Sequence, residues 1–260
     1  MNLLDIIIAC KKKELTESIR LNRFKDLEKS INFNRKCIPL SESILSQDKT
    51  GIIAEFKRKS PSKGIINSDV SIEEVTSGYS REGASGLSVL TDFEFFGGTV
   101  ADLSLARKLN STPILRKDFI VDEYQVVESK AIGADAILLI AAILHKKGLL
   151  KLARLARSID LQVLLEVHNA HELEMVNEFV NIIGVNNRDL TTFLVNTRLS
   201  FSLADKIPEG FVKISESGIS SPHIIKQLKQ AGYQGFLIGE KFMNNSDPVA
   251  AFSDFIKMMN

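Results

Sequence analysis

Glu55 and Lys57 stand two residues apart at the end of an apolar run, in Ile52-Ile-Ala-Glu-Phe-Lys-Arg-Lys-Ser-Pro-Ser-Lys-Gly64. Side chains alternate between the faces of a strand, so this acid and base share one face while Ala54 and Phe56 share the other. One such pair is commonly a surface ion pair at a strand end. The layout, however, recurs: apolar runs pass into polar chemistry at Leu115-Arg-Lys-Asp-Phe119, Leu164-Leu-Glu-Val-His168, Val185-Asn-Asn-Arg-Asp189, Ser215-Glu-Ser-Gly218 and Ile238-Gly-Glu240. Carboxylates and lysines brought to one place move each other's pKa values apart, so that one group donates a proton while another accepts it. Glu55, Lys57, Lys117 and Glu166 are therefore candidates for general acid/base catalysis.

Bringing these residues together requires strands whose ends meet. The candidate strands are Ile52 to Phe56, Gly86 to Leu90, Pro113 to Arg116, Ala136 to Ile140, Gln162 to Leu165, Ile182 to Val185, Phe211 to Ser215 and Gly235 to Ile238. Helix-like segments lie between them, around Ile72 to Glu82, Val100 to Leu109, Tyr124 to Ile132, Lys147 to Ile159, Ala170 to Val180, Ser200 to Ile207 and Pro222 to Ala231, with Phe252 to Met259 closing the last unit. Strands alternating with amphipathic stretches mean βα units and a parallel sheet. Eight of them predict an α/β protein with a closed (β/α)8 TIM barrel, whose working face lies at the carboxyl ends of the strands. The rival, a doubly wound open sheet, normally carries a Gly-x-Gly-x-x-Gly turn after an early strand, and this chain has none.

Before the first strand, positions 1–45 carry apolar residues at helical spacing (Leu4, Ile7, Ile8, Leu15, Ile19 and onward), which predicts an extension of one or two helices. No Pro-rich or Ser-rich linker interrupts the alternation, so 1–260 is expected to form one barrel domain that includes this extension. Ser217-Gly218 and Gly239-Glu240 follow the last two strands, where such barrels often bind phosphate on free backbone N–H groups.

Composition narrows the function. Of 260 residues, 44% are hydrophobic and 25% charged, with 33 basic against 32 acidic side chains and a net charge of +1. That balance argues against nucleic-acid or membrane-surface binding, both of which need a basic excess, so an anionic ligand must be met locally. Cys10 and Cys37 lack metal-ligand spacing and are expected as free thiols in a reducing cytoplasm. The apolar stretch Leu3 to Cys10 is too short to cross a bilayer. Nothing in the pattern sets the oligomeric state, and a monomer is compatible with it.

Several other residues carry less. His168 and His171 are expected as an exposed loop pair, since a metal site would need further convergent ligands. His145 and His223 read as ordinary helix or loop residues. Lys63-Gly64 resembles the end of a phosphate loop but lacks that motif's earlier glycine. Lys11 to Lys13 reads as a solvated helix face. Phe93, Phe95 and Phe96 could wall a flat ring if their loop lies on the active face.

Taken in order, Ile53-Ala-Glu-Phe-Lys-Arg-Lys-Ser-Pro-Ser-Lys-Gly64, Leu115-Arg-Lys-Asp-Phe119, Leu165-Glu-Val-His168, Val185-Asn-Asn-Arg-Asp-Leu190 and Ser215-Glu-Ser-Gly218 resemble the motifs of the indole-3-glycerol-phosphate synthases, over nearly the whole chain. The resemblance implies a tryptophan-pathway lyase. It would close the pyrrole ring of 1-(2-carboxyphenylamino)-1-deoxyribulose 5-phosphate with loss of CO2 and water, using neither metal nor organic cofactor. Position by position, it implies Lys117 as the general acid at the ketone and Lys57 as the partner of the substrate carboxylate. It makes Glu55 and Glu166 the acid/base carboxylates, and Asn186 the group that orients Glu166 and the substrate hydroxyls. Ser217 is a further active-site position. Phe96, Phe119 and Leu190 are implied around the aromatic ring, and Ser60, Arg188, Gly218, Gly239 and Glu240 at or near the phosphate end, with Glu216 also a substrate-binding position. Phe56 and Lys241 depart from the family pattern. Two other readings are a related barrel such as phosphoribosylanthranilate isomerase and a barrel that binds a phosphometabolite without turnover. The first would need a cysteine and aspartate pair at strand ends, and both cysteines here precede the first strand.

Overall fold

The eight apolar runs become eight parallel strands that close on themselves: β1 (Ile52–Phe56), β2 (Gly86–Leu90), β3 (Ile114–Lys117), β4 (Ala136–Ile140), β5 (Gln162–Val167), β6 (Ile182–Asn186), β7 (Val212–Glu216) and β8 (Gly235–Ile238). Neighbours in the chain are neighbours in the sheet, and β1 closes the barrel against β8 with Ile53 opposite Leu237. This computed structural model describes residues 3–259; the first two positions of the expected extension and the last residue of the chain lie outside the described residues. No helix among the described residues is long and apolar enough to cross a membrane.

Strand alternation sorts the core into two layers. Ile53, Leu115, Leu138, Leu164, Ile182 and Ile214 fill the barrel interior, while Ala54, Phe56, Val89, Ile137, Val163 and Ile183 pack outward against the helices. Phe56 lies in the outer layer, turned away from Glu55 and Lys57, with the Arg58 guanidinium 4.7 Å from its ring centroid. The strands β3, β5, β6 and β7 run one or two residues beyond the sequence expectation. Lys117, Glu166, Asn186 and Glu216 consequently sit within strands, where the ladder fixes their directions.

Local signals start the helices. α4 (Ile72–Arg81) is capped by the Ser71 hydroxyl, the short α5 (Phe93–Phe96) by the Asp92 carboxylate, and α6 (Val100–Leu109) and α7 (Glu123–Ile132) open on capping boxes, Thr99 with Asp102 and Asp122 with Gln125. His145 caps α8 (Lys146–Ser158) by accepting the Gly148 N–H. The expected helix over Ala170 to Val180 is absent; that stretch holds only a 3-10 turn, His171–Met175. Side chains there compete with the helical ladder: Glu172 accepts the His168 N–H, Asn169 accepts the Glu172 N–H, and Asn177 accepts the Phe179 N–H. The following helix begins at Arg198 and gives way to a 3-10 turn at Ala204–Lys206.

The N-terminal extension forms three helices, α1 (Leu3–Leu21), α2 (Phe24–Leu27) and α3 (Leu40–Leu45), rather than one or two. It straps the barrel from mouth to floor. Ile7 of α1 joins the interior layer at the mouth, Phe24 stacks edge-on against Tyr124 of α7, and Leu40 and Ile44 of α3 plug the opposite end. Arg35 pairs with Asp135 at 2.8 Å, and Ser41 and Gln162 bond each other near the floor.

Lys11 corrects the expectation of a solvated lysine face. It is 2% exposed, and its ammonium lies 2.9 Å from Asp92, 3.0 Å from Asp118 and 2.7 Å from Glu14. The helical period turns Lys12 and Lys13 outward, and Lys11 inward onto the carboxylates that follow β2 and β3. Replacing Lys11 with methionine keeps the length but leaves buried Asp92 without its cation and Asp118 with Arg116 alone. Urea unfolding should show a loss of about 3–5 kcal/mol, against less than about 0.5 kcal/mol for Lys12→Met on the exposed face.

Candidate active site

A cavity of about 400 Å3 opens at the carboxyl ends of the strands, and every catalytic and substrate-binding position that the family resemblance implies lines it. The inward face of β1 supplies Glu55, whose carboxylate lies 2.7 Å from the Lys57 ammonium just beyond the strand. β3 supplies Lys117, 3.1 Å from Glu166 of β5 and 3.6 Å from Glu216 of β7. These carboxylates are almost wholly buried, at 4% exposure for Glu55, 1% for Glu166 and 1% for Glu216.

So many charges in one dry space settle each other's protonation. Burial works against the Lys117 charge, but Glu166, Glu216 and Glu55 outweigh it and raise its pKa well above the usual lysine value. Burial likewise pushes Glu166 up, yet Lys117, His168 and a hydrogen bond from Asn186 overcome it and hold Glu166 ionised, below its ordinary value. The Asn186 carbonyl oxygen accepts the Arg188 N–H at 3.0 Å, which leaves its amide NH2 to serve Glu166. Glu216 goes the other way. Burial, with Glu166 and Glu55 as negative neighbours, lifts it to about 8 despite Lys117, so it carries a proton at neutral pH. Two adjacent carboxyls with opposite protonation are a ready acid and base.

Two glycines make room for this cluster. A Cβ at Gly184 on β6 would collide with Glu216, and one at Gly239 would lie 2.6 Å from the Glu55 carboxylate oxygen. Gly239 thus serves the carboxylate cluster as well as the turn for which the sequence singles it out.

The apolar end of the cavity is walled by Phe96 and Phe119, their ring centroids 6.0 Å apart, together with Leu190 and, from α1, Leu4 and Ile7. Of the three clustered phenylalanines, Phe96 reaches the cavity, while Phe93 is 68% exposed. The opposite end is cationic. Lys63 and Arg188 hold the two oxygens of Glu240 at 2.6 and 3.2 Å, and Ser60, Gly218, Gly239 and Lys241 lie along the same rim. Ser217 has the left-handed backbone φ of +66°, and its carbonyl accepts from the buried Asn187 amide.

Several of these roles were not apparent from the sequence. Glu216 reads there as one more binding position, and Lys63 as a failed phosphate-loop lysine. Asn187 binds Ser215 and Ser217 on one side and Ser200 on the other, fixing the turn after β7. His168 overturns the expectation of an exposed pair: its side chain is 12% exposed and sits between Glu166 and Glu172, whereas that of His171 is 86% exposed.

A closed parallel barrel with a buried lysine–carboxylate cluster at the carboxyl rim defines an acid/base enzyme of the (β/α)8 class. The family model for indole-3-glycerol phosphate synthase matches residues 4–255. Relatives bearing that name include a protein of Bacteroides thetaiotaomicron, 45% identical over 98% of both chains, and one of Thermoanaerobacter pseudethanolicus, 41% identical over 98% of this chain and 97% of its own. Among solved structures, a mutant tryptophan synthase alpha-subunit from Pyrococcus furiosus superimposes with a TM-score of 0.61 over 82% of this chain and 99% of its own; at 13% identity it shares the fold alone. The chain belongs to the indole-3-glycerol phosphate synthase family.

The Glu216 proton gives a test by pH. A carboxyl raised in the folded state binds a proton that the unfolded chain has released, so its contribution to stability declines as pH rises from the usual value near 4.5 to about 8. Glu216→Gln mimics the protonated form and removes this dependence. The difference in unfolding free energy, variant minus wild type, should grow in favour of the variant from pH 5 to pH 8, as measured by urea titrations at each pH.

Proposed function

We propose that this chain closes the pyrrole ring of 1-(2-carboxyphenylamino)-1-deoxyribulose 5-phosphate, releasing CO2 and water to give indole-3-glycerol phosphate, with the cavity residues in the following roles. The observation that carries the assignment of roles is the Lys117 ammonium, buried at the strand ends between Glu166 and Glu216 and facing a space walled by Phe96 and Phe119. A substrate ring seated against those phenylalanines directs its side-chain ketone toward the lysine. Attack by the ring carbon puts negative charge on the ketone oxygen, and Lys117 stabilises that charge and supplies its proton. Lys57, beside Glu55, is the cation available to the ring carboxylate before that group leaves as CO2. Loss of the new hydroxyl as water then needs an acid at the oxygen and a base at the adjacent carbon. The neutral Glu216 and the ionised Glu166, with Glu55 beside Lys57, furnish both kinds of group.

The phosphate end follows from charge. Lys63 and Arg188 converge on Glu240, beside the glycine turns after β7 and β8 and the Ser60 hydroxyl. In this reading a phosphate takes up N–H groups of those turns and competes with Glu240 for the two cations. Lys241, which departs from the family pattern, adds a third positive side chain at the rim. The free thiols Cys10 and Cys37 fit a reducing compartment such as the cytoplasm.

Turnover followed by indole fluorescence, in buffer containing a metal chelator, tests the reaction. Lys117→Ala should cut kcat about a hundredfold to ten-thousandfold with a much smaller change in KM, because a general acid acts mainly in the transition state. Lys63→Ala should instead raise KM by roughly threefold to tenfold while leaving kcat nearly intact. Wild-type protein that binds the substrate without product formation would establish a non-catalytic barrel. A Lys117→Ala enzyme with near-normal kcat would move the acid elsewhere.

A further inference from the structure

Behind Glu166, on the side away from Lys117, stands His168. Its Nε2 lies 3.4 Å from Glu166 Oε1, its Nδ1 lies 3.4 Å from Glu172 Oε2, and neither ring nitrogen has a hydrogen-bond partner although both are buried. Glu172 is held in place: it accepts the backbone N–H of His168 at 2.6 Å and the Asn169 amide at 2.7 Å. The ring is therefore fixed between two carboxylates, one in the cavity and one at the rim.

This geometry selects a charge state. Neutral imidazole carries one N–H and one lone pair, so between two carboxylates it would turn a lone pair toward one of them. The imidazolium presents an N–H to each. The other carboxylates near the ring act in the same direction, Glu216 within the same cluster and Asp189 on the loop after β6, while the Lys117 cation is engaged by Glu166. Burial works against the charge, but Glu172, Glu166 and Glu216 outweigh it and raise the His168 pKa above the usual value near 6.5. Glu166 is thus clamped between two cations, with Oε2 on Lys117 and Oε1 toward His168.

We propose that His168 is a positioning residue for the ring closure: held as an imidazolium by Glu172, it keeps Glu166 ionised and aimed at the substrate while Lys117 gives up its proton. The need is physical. When Lys117 transfers its proton it ceases to be a counter-ion, and a carboxylate 1% exposed would be left without one. The second cation, out of reach of the substrate, persists through that step. This proposal rests on the reaction assigned above, but its principal measurement does not need turnover.

The test combines ring NMR titration of the histidines in the intact protein with pH profiles of kcat/KM. The chain has 4 histidines, and His168→Gln assigns the signal of His168 by its disappearance. Expected are a His168 titration clearly above the ordinary histidine value near 6.5, and its return toward that value in Glu172→Gln, a variant remote from the substrate. In His168→Gln, the acid limb of kcat/KM should move to higher pH by roughly one unit, as loss of a neighbouring opposite charge predicts, with kcat about tenfold lower and KM within twofold. In Glu172→Gln, the decline on the alkaline side should set in at lower pH, following the lowered histidine. A His168 that titrates at the ordinary histidine value overturns the proposal, as does a His168→Gln enzyme whose profile superimposes on that of wild type. If His168→Gln fails to fold, His145→Gln, His171→Gln and His223→Gln assign the His168 signal by elimination, and the Glu172→Gln titration decides alone. Wild-type protein without turnover would sink the proposed reaction, and the titration would still decide the charge on His168.

Discussion

A lysine ammonium buried among carboxylates is the constraint around which the mouth of this barrel is arranged. Lys117, Glu166, Glu216 and Glu55 come from four different strands, yet their charged ends share one small space. Lys57 adds a second cation against three carboxyls, and the proposed His168 imidazolium is balanced by Glu172, so full ionisation would leave a net negative charge out of water, which costs more than retaining one proton. The proton is retained on Glu216, the carboxyl with an oxygen that finds no partner. An acid at neutral pH therefore follows from the count and placement of charges. The same crowding explains glycine at Gly184 within β6 and at Gly239 just beyond β8, since any side chain there would displace Glu216 or Glu55.

The cluster stays in register because its backbone is tied from outside. Residues 116 to 118 point in turn away from, into and again away from the cavity centre. Arg116 reaches Asp118 and Glu128, Lys117 enters the cluster, and Asp118 returns to Lys11 and Arg116. Lys117 is thus flanked by two residues in a second buried ion network, one that also anchors α1. The strap that carries Leu4 and Ile7 to the apolar end of the cavity is fastened to the strand that carries Lys117. Such coupling fixes donor positions before substrate arrives, which is where electrostatic catalysis gains its advantage.

The alternation of apolar runs with amphipathic stretches made the barrel legible in the sequence, because strand and helix periods are local properties. The polar strand ends made Glu55, Lys57, Lys117 and Glu166 legible for the same reason. What local reading missed were charges whose environment is set by distant partners. Lys11 sits in a run of three lysines, and only Asp92 and Asp118, far along the chain, turn it from a surface residue into a buried anchor. His168 is a loop residue by position and is buried by Glu166 and Glu172. The missing helix after β5 has the same origin: Leu173, Met175, Val176 and Phe179 suit an amphipathic helix, but Glu172 spends its carboxylate on His168 and Asn169.

Paired charge also governs the cationic end of the cavity. Lys63 and Arg188 do not wait as bare cations; Glu240 holds them at 2.6 and 3.2 Å. Burial alone would raise the Glu240 carboxyl, but the two cations draw it below its ordinary value, so it is firmly ionised. In the proposed mode of binding, an entering phosphate exchanges one anion for another instead of adding charge to an empty pocket. A monoanionic or neutral ligand gains little from that exchange, because Glu240 already satisfies the cations, whereas a dianion with three acceptor oxygens can engage Lys63, Arg188 and the backbone turns together. A chain with a net charge of only +1 can select a phosphorylated substrate in this way, through a local contest between carboxylate and phosphate rather than through an overall positive field.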